Sequence, residues 1–213
     1  MSALRSTRRG GSLADQRQRA EATRDALVAA GRSLFTARGY QASSNEDIVA
    51  EAHMTRGALY HHFSDKQALF AAVFSQVLEE LILDARAAVS DQRGDRWAQL
   101  IGSLRAYLGL VANRPDAQRI ILIDGPAVLG WGRWRELQAE WIDEGIAVTM
   151  TMLADDGHLS VDAEPLAILI QGALNEAALA IAHAIDPSAA SAKLISALDA
   201  LLEGLRTSMG KRV

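Results

Sequence analysis

Between Ser43 and Lys66 the chain carries hydrogen-bond donors at helical spacing. Arg56 and Tyr60 stand four apart and share one face of a helix, with His61 beside them, and Gly57 lets whatever the helix docks on approach closely. Leu59 and Phe63, also four apart, fall on the inward face. Lys66 opens the next helical stretch, where its ammonium and the positive end of the helix both suit a phosphate. A guanidinium can bridge both acceptors of a guanine edge, which discriminates between bases by about 1 to 3 kcal/mol. The chemistry on offer is recognition of duplex DNA, with Arg56 placed to read a base and Lys66 to grip the backbone. The same stretch makes a poor metal site, because adjacent His61 and His62 point about 100° apart on a helix, whereas His-Glu-x-x-His would place two ligands on one face. His158 and His183 stand alone, and neither a Gly-x-Ser-x-Gly elbow nor a Gly-x-x-x-x-Gly-Lys phosphate loop occurs. No enzyme, cofactor or metal is expected.

These groups need three short helices to hold them. Ser43 with Glu46 three residues on fits a capping box, and Ile48, Val49 and Ala52 give the helix that follows an inward face. His53-Met54 separates it from a second helix that the Thr55 hydroxyl can cap. A preceding helix from about Asp15 to Arg38, ended by Gly39, braces the pair with Leu27, Gly31, Leu34 and Phe35 on one face. Phe35, Ile48, Leu59 and Phe63 then form the small core of a helix-turn-helix head.

The run Thr55-Arg56-Gly57-Ala58-Leu59-Tyr60-His61-His62-Phe63-Ser64-Asp65-Lys66, with Leu69 three further, resembles the signature of the TetR/AcrR one-component repressors. The resemblance implies that Thr55, Tyr60, His62 and Lys66 hold DNA phosphates while Arg56, Gly57, Ala58 and His61 lie against base edges. Ser43 and Ser44 join the expected DNA contacts from the start of the preceding helix. Two residues depart from the family pattern. His53 stands where the turn usually has Gly, at a cost if φ is positive. Asn45 stands where an apolar residue is usual and is a candidate for an extra DNA contact.

Composition agrees with a helical, globular chain. Of 213 residues 49% are apolar and 23% charged, only 5% are aromatic and four are Pro, so helix is favoured over strand and one core or two can be buried. Zero Cys excludes disulfides, thiolate metal sites and a Cys nucleophile. No run reaches the roughly 18 apolar residues of a membrane span, and the Arg-rich start has no apolar stretch, so a cytoplasmic protein without membrane contact is expected. Charge is divided unevenly: residues 1–66 hold ten Lys and Arg against seven Asp and Glu, while residues 67–213 hold twelve against nineteen. The basic end is the recognition end, and a net charge of −4 does not oppose DNA binding, because attraction to phosphate is screened beyond about 8 to 10 Å.

In chain order the expected organisation is a flexible basic arm (1–15), a helix-turn-helix DNA-binding domain (16–66) and a ligand-binding and dimerisation domain (67–213). The arm, with Arg5, Arg8 and Arg9, reads either as a solvated tail or as a minor-groove contact. After Ser64-Asp65 a long helix runs to about Val89, and hydrophilic joints then divide helices over about 96–112, 116–123, 128–153, 162–185 and 188–208. The fold class is all-α, with about nine helices, as the family resemblance also implies.

Trp131, Trp134, Gln138 and Trp141 recur at helical spacing, with Trp97 and Tyr107 on neighbouring helices. Such a stripe is either core packing or the wall of a cavity for a hydrophobic or aromatic small molecule, with Asp124, Gln171 and Asn175 as polar groups that would orient it. The last two helices interleave small residues with Leu and Ile, which permits close approach of a second copy, and the resemblance implies a homodimer through a four-helix bundle. A dimer would present two recognition helices to major grooves roughly 34 Å apart, hence a near-palindromic operator. The expected function is a ligand-responsive transcriptional regulator that binds an operator in double-stranded DNA. An architectural DNA-binding protein would keep the head but have no need of a Trp-lined second domain, and an α-helical enzyme is the remaining alternative.

Overall fold

The computed structural model describes residues 13–89, 95–139, 144–156, 159 and 162–209. Every regular element among them is a helix: α1 Leu13–Arg38, α2 Asn45–Glu51, α3 Arg56–His62, α4 Lys66–Ala87, α5 Arg96–Asn113, a π-helical segment Ala117–Asp124, α6 Gly125–Leu129, α7 Trp131–Gln138, α8 Glu144–Asp155, α9 Ala163–Ala182 and α10 Pro187–Met209. The chain is all-α, with an N-terminal helix-turn-helix head and a helical second part. Trp141, His158 and the arm containing Arg5, Arg8 and Arg9 lie outside the described residues.

The head closes over Leu27, Phe35, Ile48, Leu59 and Phe63, all buried. Phe35, Tyr40 and Phe70 pack pairwise with ring centroids 5.2 to 5.7 Å apart, joining α1, the loop after it and α4. Helix α4 has a buried residue on nearly every turn from Leu69 to Ala85, so one rigid element runs from the head into the second part. There α5 packs on α4 and α10, α8 on α9, and α9 on α5 and the π-helical segment. By length and a mean hydropathy of 1.5, α9 could cross a membrane, but 44% of that stretch is buried within the fold, as in a core helix.

Three local expectations are corrected. The cap of α2 is Ser44, one residue later than the Ser43/Glu46 box: Ser44 Oγ accepts from Asp47 N and the Asp47 carboxylate accepts from Ser44 N, whereas Ser43 is fully buried and donates to Gly39 O at 2.8 Å. The Asp124-Gly125-Pro126 joint does not interrupt the helix. Gly125 is α-helical (φ −51, ψ −57), and a Cβ there would meet Ile120 O and the Trp134 and Phe74 rings at 3.0 to 3.1 Å, so this glycine serves close packing. The single helix expected over 128–153 is divided instead, since Gly130 adopts φ +77, which ends α6 and starts α7. Ten α-helices and one π-helical segment therefore replace the expected nine helices among the described residues.

Candidate functional site

The outer face of the head gathers most of the donors expected to meet DNA. Thr55 caps α3, its Oγ accepting from Ala58 N at 3.2 Å, and Arg56, Gly57, Tyr60 and His61 are exposed. Arg56 pairs with Glu46 of α2 at 2.8 Å, both side chains being 60% exposed, and lies 6.0 Å from the Tyr60 ring centre. Asn45 Nδ2 donates to Tyr60 Oη at 3.1 Å. Hydrogen bonds from Arg56 and then Asn45 bring the Tyr60 phenol below its ordinary pKa. Asn45 thus braces the Tyr60 phenol from the start of α2, and Glu46, which the sequence offered only as a capping partner of Ser43, pairs with the Arg56 guanidinium. His61 and His62 pack edge to face at 5.1 Å, and Ser44 is exposed beside its capping bonds.

Two expected contacts face inward. Ser43 is completely buried on Gly39 O. Lys66 Nζ donates to Tyr40 O and Ser43 O, both at 2.9 Å, and sits 4.0 Å from the Tyr40 ring centre, with burial lowering its pKa. Its ammonium fastens the α1–α2 loop from the first turn of α4.

That loop is also tied to the second part of the chain. Asp124, nominated as a ligand contact, instead accepts from Tyr40 N at 2.8 Å and from Arg119 Nε at 3.2 Å. The Arg119 guanidinium lies against Gly39, where a Cβ would come within 2.0 Å of it and where φ is +80. A second tie is ionic: Arg32 of α1 makes a two-pronged pair with Glu80 of α4 at 2.7 and 2.8 Å and also holds Asp116, which Arg114 shares. Burial works to raise the Asp116 pKa, but hydrogen bonds from Arg114 and Arg32 outweigh it and bring it to about 2. Nothing in residue spacing announced this cluster, whose members lie up to 84 positions apart.

A cavity of about 390 Å³ lies between α4, α5, α8 and α9, with Ile82, Leu100, Leu104, Tyr107, Ile146 and Leu174 among its walls. Of the residues nominated for ligand contact, Tyr107 lines it. Trp134 is fully buried and donates Nε1 to Ile121 O at 2.8 Å, so it holds the π-helical segment in place. Trp131 is 66% exposed and packs on Trp134 at 4.9 Å. Trp97, Gln138, Gln171 and Asn175 are buried on α5, α7 and α9. Trp97 Nε1, Tyr107 Oη and both carboxamide atoms of Gln138 and Gln171 lack a hydrogen-bond partner. Burial pushes the Tyr107 phenol far up, so it remains a donor.

With this geometry in view, known proteins give the family. A family model for bacterial regulatory proteins of the tetR family matches residues 27–73, and one for the tetracyclin repressor-like C-terminal domain matches residues 97–205. The crystal structure of a TetR-family transcriptional regulator from Pectobacterium atrosepticum is similar with a TM-score of 0.77 and 40% identity, covering 89% of this chain and 97% of that one. The Transposon Tn10 TetC protein of Escherichia coli is 27% identical over 158 residues, which is 74% of this chain and 79% of that one. The HTH-type transcriptional repressor DhaR of Mycobacterium sp. (strain GP1) is 30% identical over 99 residues, an alignment spanning 46% of this chain and about half (48%) of DhaR. A helix-turn-helix head with an exposed donor face, matched together with the body behind it, places the chain in the TetR family of DNA-binding transcriptional regulators, which are not enzymes.

Proposed function

We propose that the protein is a homodimeric repressor of transcription that acts in the cytoplasm and releases a near-palindromic operator when a small apolar molecule enters its second domain. The observation that carries the ligand response is the cavity between α4, α5, α8 and α9, because α4 lines it with Ile82 and Ala85 and is anchored in the head at its other end by Leu69 and Phe70. A molecule that favours one placement of α4 shifts the population of head positions by its differential affinity. Tyr107 supports the reading, since it lines the cavity with its hydroxyl lacking a hydrogen-bond partner, and a buried polar group left so costs about 1 to 3 kcal/mol, which a ligand with a matching atom would offset. Repression is the sign given in the name of DhaR.

The reading places DNA contacts at Ser44, Thr55, Arg56, Gly57, Ala58, Tyr60, His61 and His62, with Asn45, Ser43 and Lys66 bracing them from within. The head then spans residues 16–66 and the effector and dimer domain residues 67–213. For the dimer the support is an outward face of small and apolar residues on the last two helices, including Ile168, Leu169, Gly172 and Ala173 of α9 and Ala197 and Leu201 of α10. The test is a panel of apolar small molecules screened by thermal denaturation against the wild type and a cavity-filling Leu104→Trp variant. Compounds that stabilise only the wild type should also lower its affinity for the operator. Stabilising compounds that leave operator affinity unchanged, or that act equally on the filled variant, would defeat the reading.

A further inference from the structure

Resting on the proposal that the cavity holds an effector, we infer that this effector is an apolar molecule with a carbonyl oxygen at its inner end, recognised by the Tyr107 hydroxyl. Tyr107 lines the cavity from α5 and is only 5% exposed, yet its Oη has no hydrogen-bond partner among the described residues. Protein interiors rarely leave a buried hydroxyl unpaired, because nothing then replaces its lost hydration. Phenylalanine would fill the same space without that cost. The hydroxyl is therefore accounted for by what enters the cavity beside it.

The lining of α5 gives the ligand a direction. It runs from Arg96, whose side chain is 49% exposed, to the buried Tyr107, and the helix rises about 16 Å between them. Arg96 marks the mouth and Tyr107 the inner end. Between them Leu100, Leu104, Ile146 and Leu174 form apolar wall, so the body of the ligand is apolar and a charge carried that far in would be costly. The protons then decide the polar atom. Burial pushes the Tyr107 phenol up, so it stays protonated and has a proton to give. Ser103, one turn earlier on the same wall, already donates its own to Gln99 O at 2.8 Å. A ketone or ester oxygen accepts from Tyr107 and brings no proton that must itself be placed. An alcohol brings one, and a hydrocarbon leaves the Tyr107 hydroxyl unpaired.

The test uses the full chain and matched probes: 2-octanone, 2-octanol and octane, then 2-acetylnaphthalene, 1-(2-naphthyl)ethanol and 2-ethylnaphthalene, each equilibrated with the protein by dialysis below its solubility limit. In at least one series the ketone should bind about tenfold more tightly than the hydrocarbon, with the alcohol between them. In Tyr107→Phe the ketone should fall to the affinity of the hydrocarbon, whose own binding stays close to wild type. The unliganded variant should melt no lower than wild type, since it has lost only an unpaired hydroxyl. In both series a hydrocarbon or alcohol that binds as tightly as its ketone overturns the carbonyl assignment. So does a ketone preference that survives in Tyr107→Phe, or a variant that melts several degrees lower, which would show the hydroxyl already partnered. These results leave a ligand-responsive cavity in place. Absence of binding by every probe also overturns the assignment, and the cavity-filling comparison on the wider panel then decides the ligand response separately.

Discussion

Arg56 and Lys66, alike as cations in the sequence, do different work in the fold. Arg56 is exposed and paired with Glu46, so Arg56→Ala should leave stability within about 0.5 kcal/mol of wild type and remove about 1 to 3 kcal/mol of base discrimination. Competition of operator against random duplex measures it; equal loss on both would show that Arg56 reads no base. Lys66 holds the carbonyls of Tyr40 and Ser43, so Lys66→Ala should destabilise the head by about 1 to 2 kcal/mol and weaken all sites together. A Lys66→Ala protein that melts like wild type but binds DNA weakly would return Lys66 to a phosphate contact alone. His53 is the one described non-glycine residue with positive φ, at 55°, where its family usually has Gly. His53→Gly should therefore raise stability by about 0.5 to 1 kcal/mol in chemical denaturation, relief of left-handed strain exceeding the added chain entropy. The φ cost was legible because a type of residue was out of place. The inward turn of Ser43 was not, since two adjacent serines can each cap and burial of the first decides between them.

At the scale of elements, the head was legible nearly residue by residue, because periodicity and capping chemistry are local. The second part was legible as helices but not as a site. Gly125 and Gly130 look alike in sequence, and only packing against Phe74 and Trp134 makes one continue the helix while the other breaks it. The Trp stripe pointed to α7, whereas the cavity opens among α4, α5, α8 and α9, whose ordinary Leu and Ile give no sign of leaving a gap. Asp124 belongs to a tie between the π-helical segment and the head loop, through the Tyr40 amide. Asp124→Ala should therefore speed hydrogen exchange at the Tyr40 amide by at least about tenfold, while amides of α9 keep wild-type protection. Unchanged exchange at Tyr40 would mean that the loop is held without the carboxylate.

For the molecule as a whole, α4 and the Arg32, Glu80, Arg114 and Asp116 cluster connect the cavity region to the head. Asp116 has a folded-state pKa of about 2 against an ordinary 3.8. The folded value is the lower one, so its stabilisation is complete above 3.8 and is lost as pH falls towards 2. Asp116→Asn should lower the melting temperature at pH 7, and the difference from wild type should shrink between pH 4 and pH 2; a constant difference would remove the ion cluster from the account. A hundredfold change in operator affinity on induction corresponds to about 2.7 kcal/mol of coupling, which one apolar ligand can supply if it binds the two states unequally. Release of a near-palindromic operator requires a two-fold protein reading a two-fold site. The measurement that reaches that claim most directly is selection of bound sequences from a random duplex pool by the purified protein, repeated for Arg56→Ala. A near-palindrome with half-sites a helical turn or a multiple apart, losing one symmetric pair of base preferences in the variant, is the result expected. Enrichment of a single asymmetric site, or of none by a well-folded protein, would contradict it.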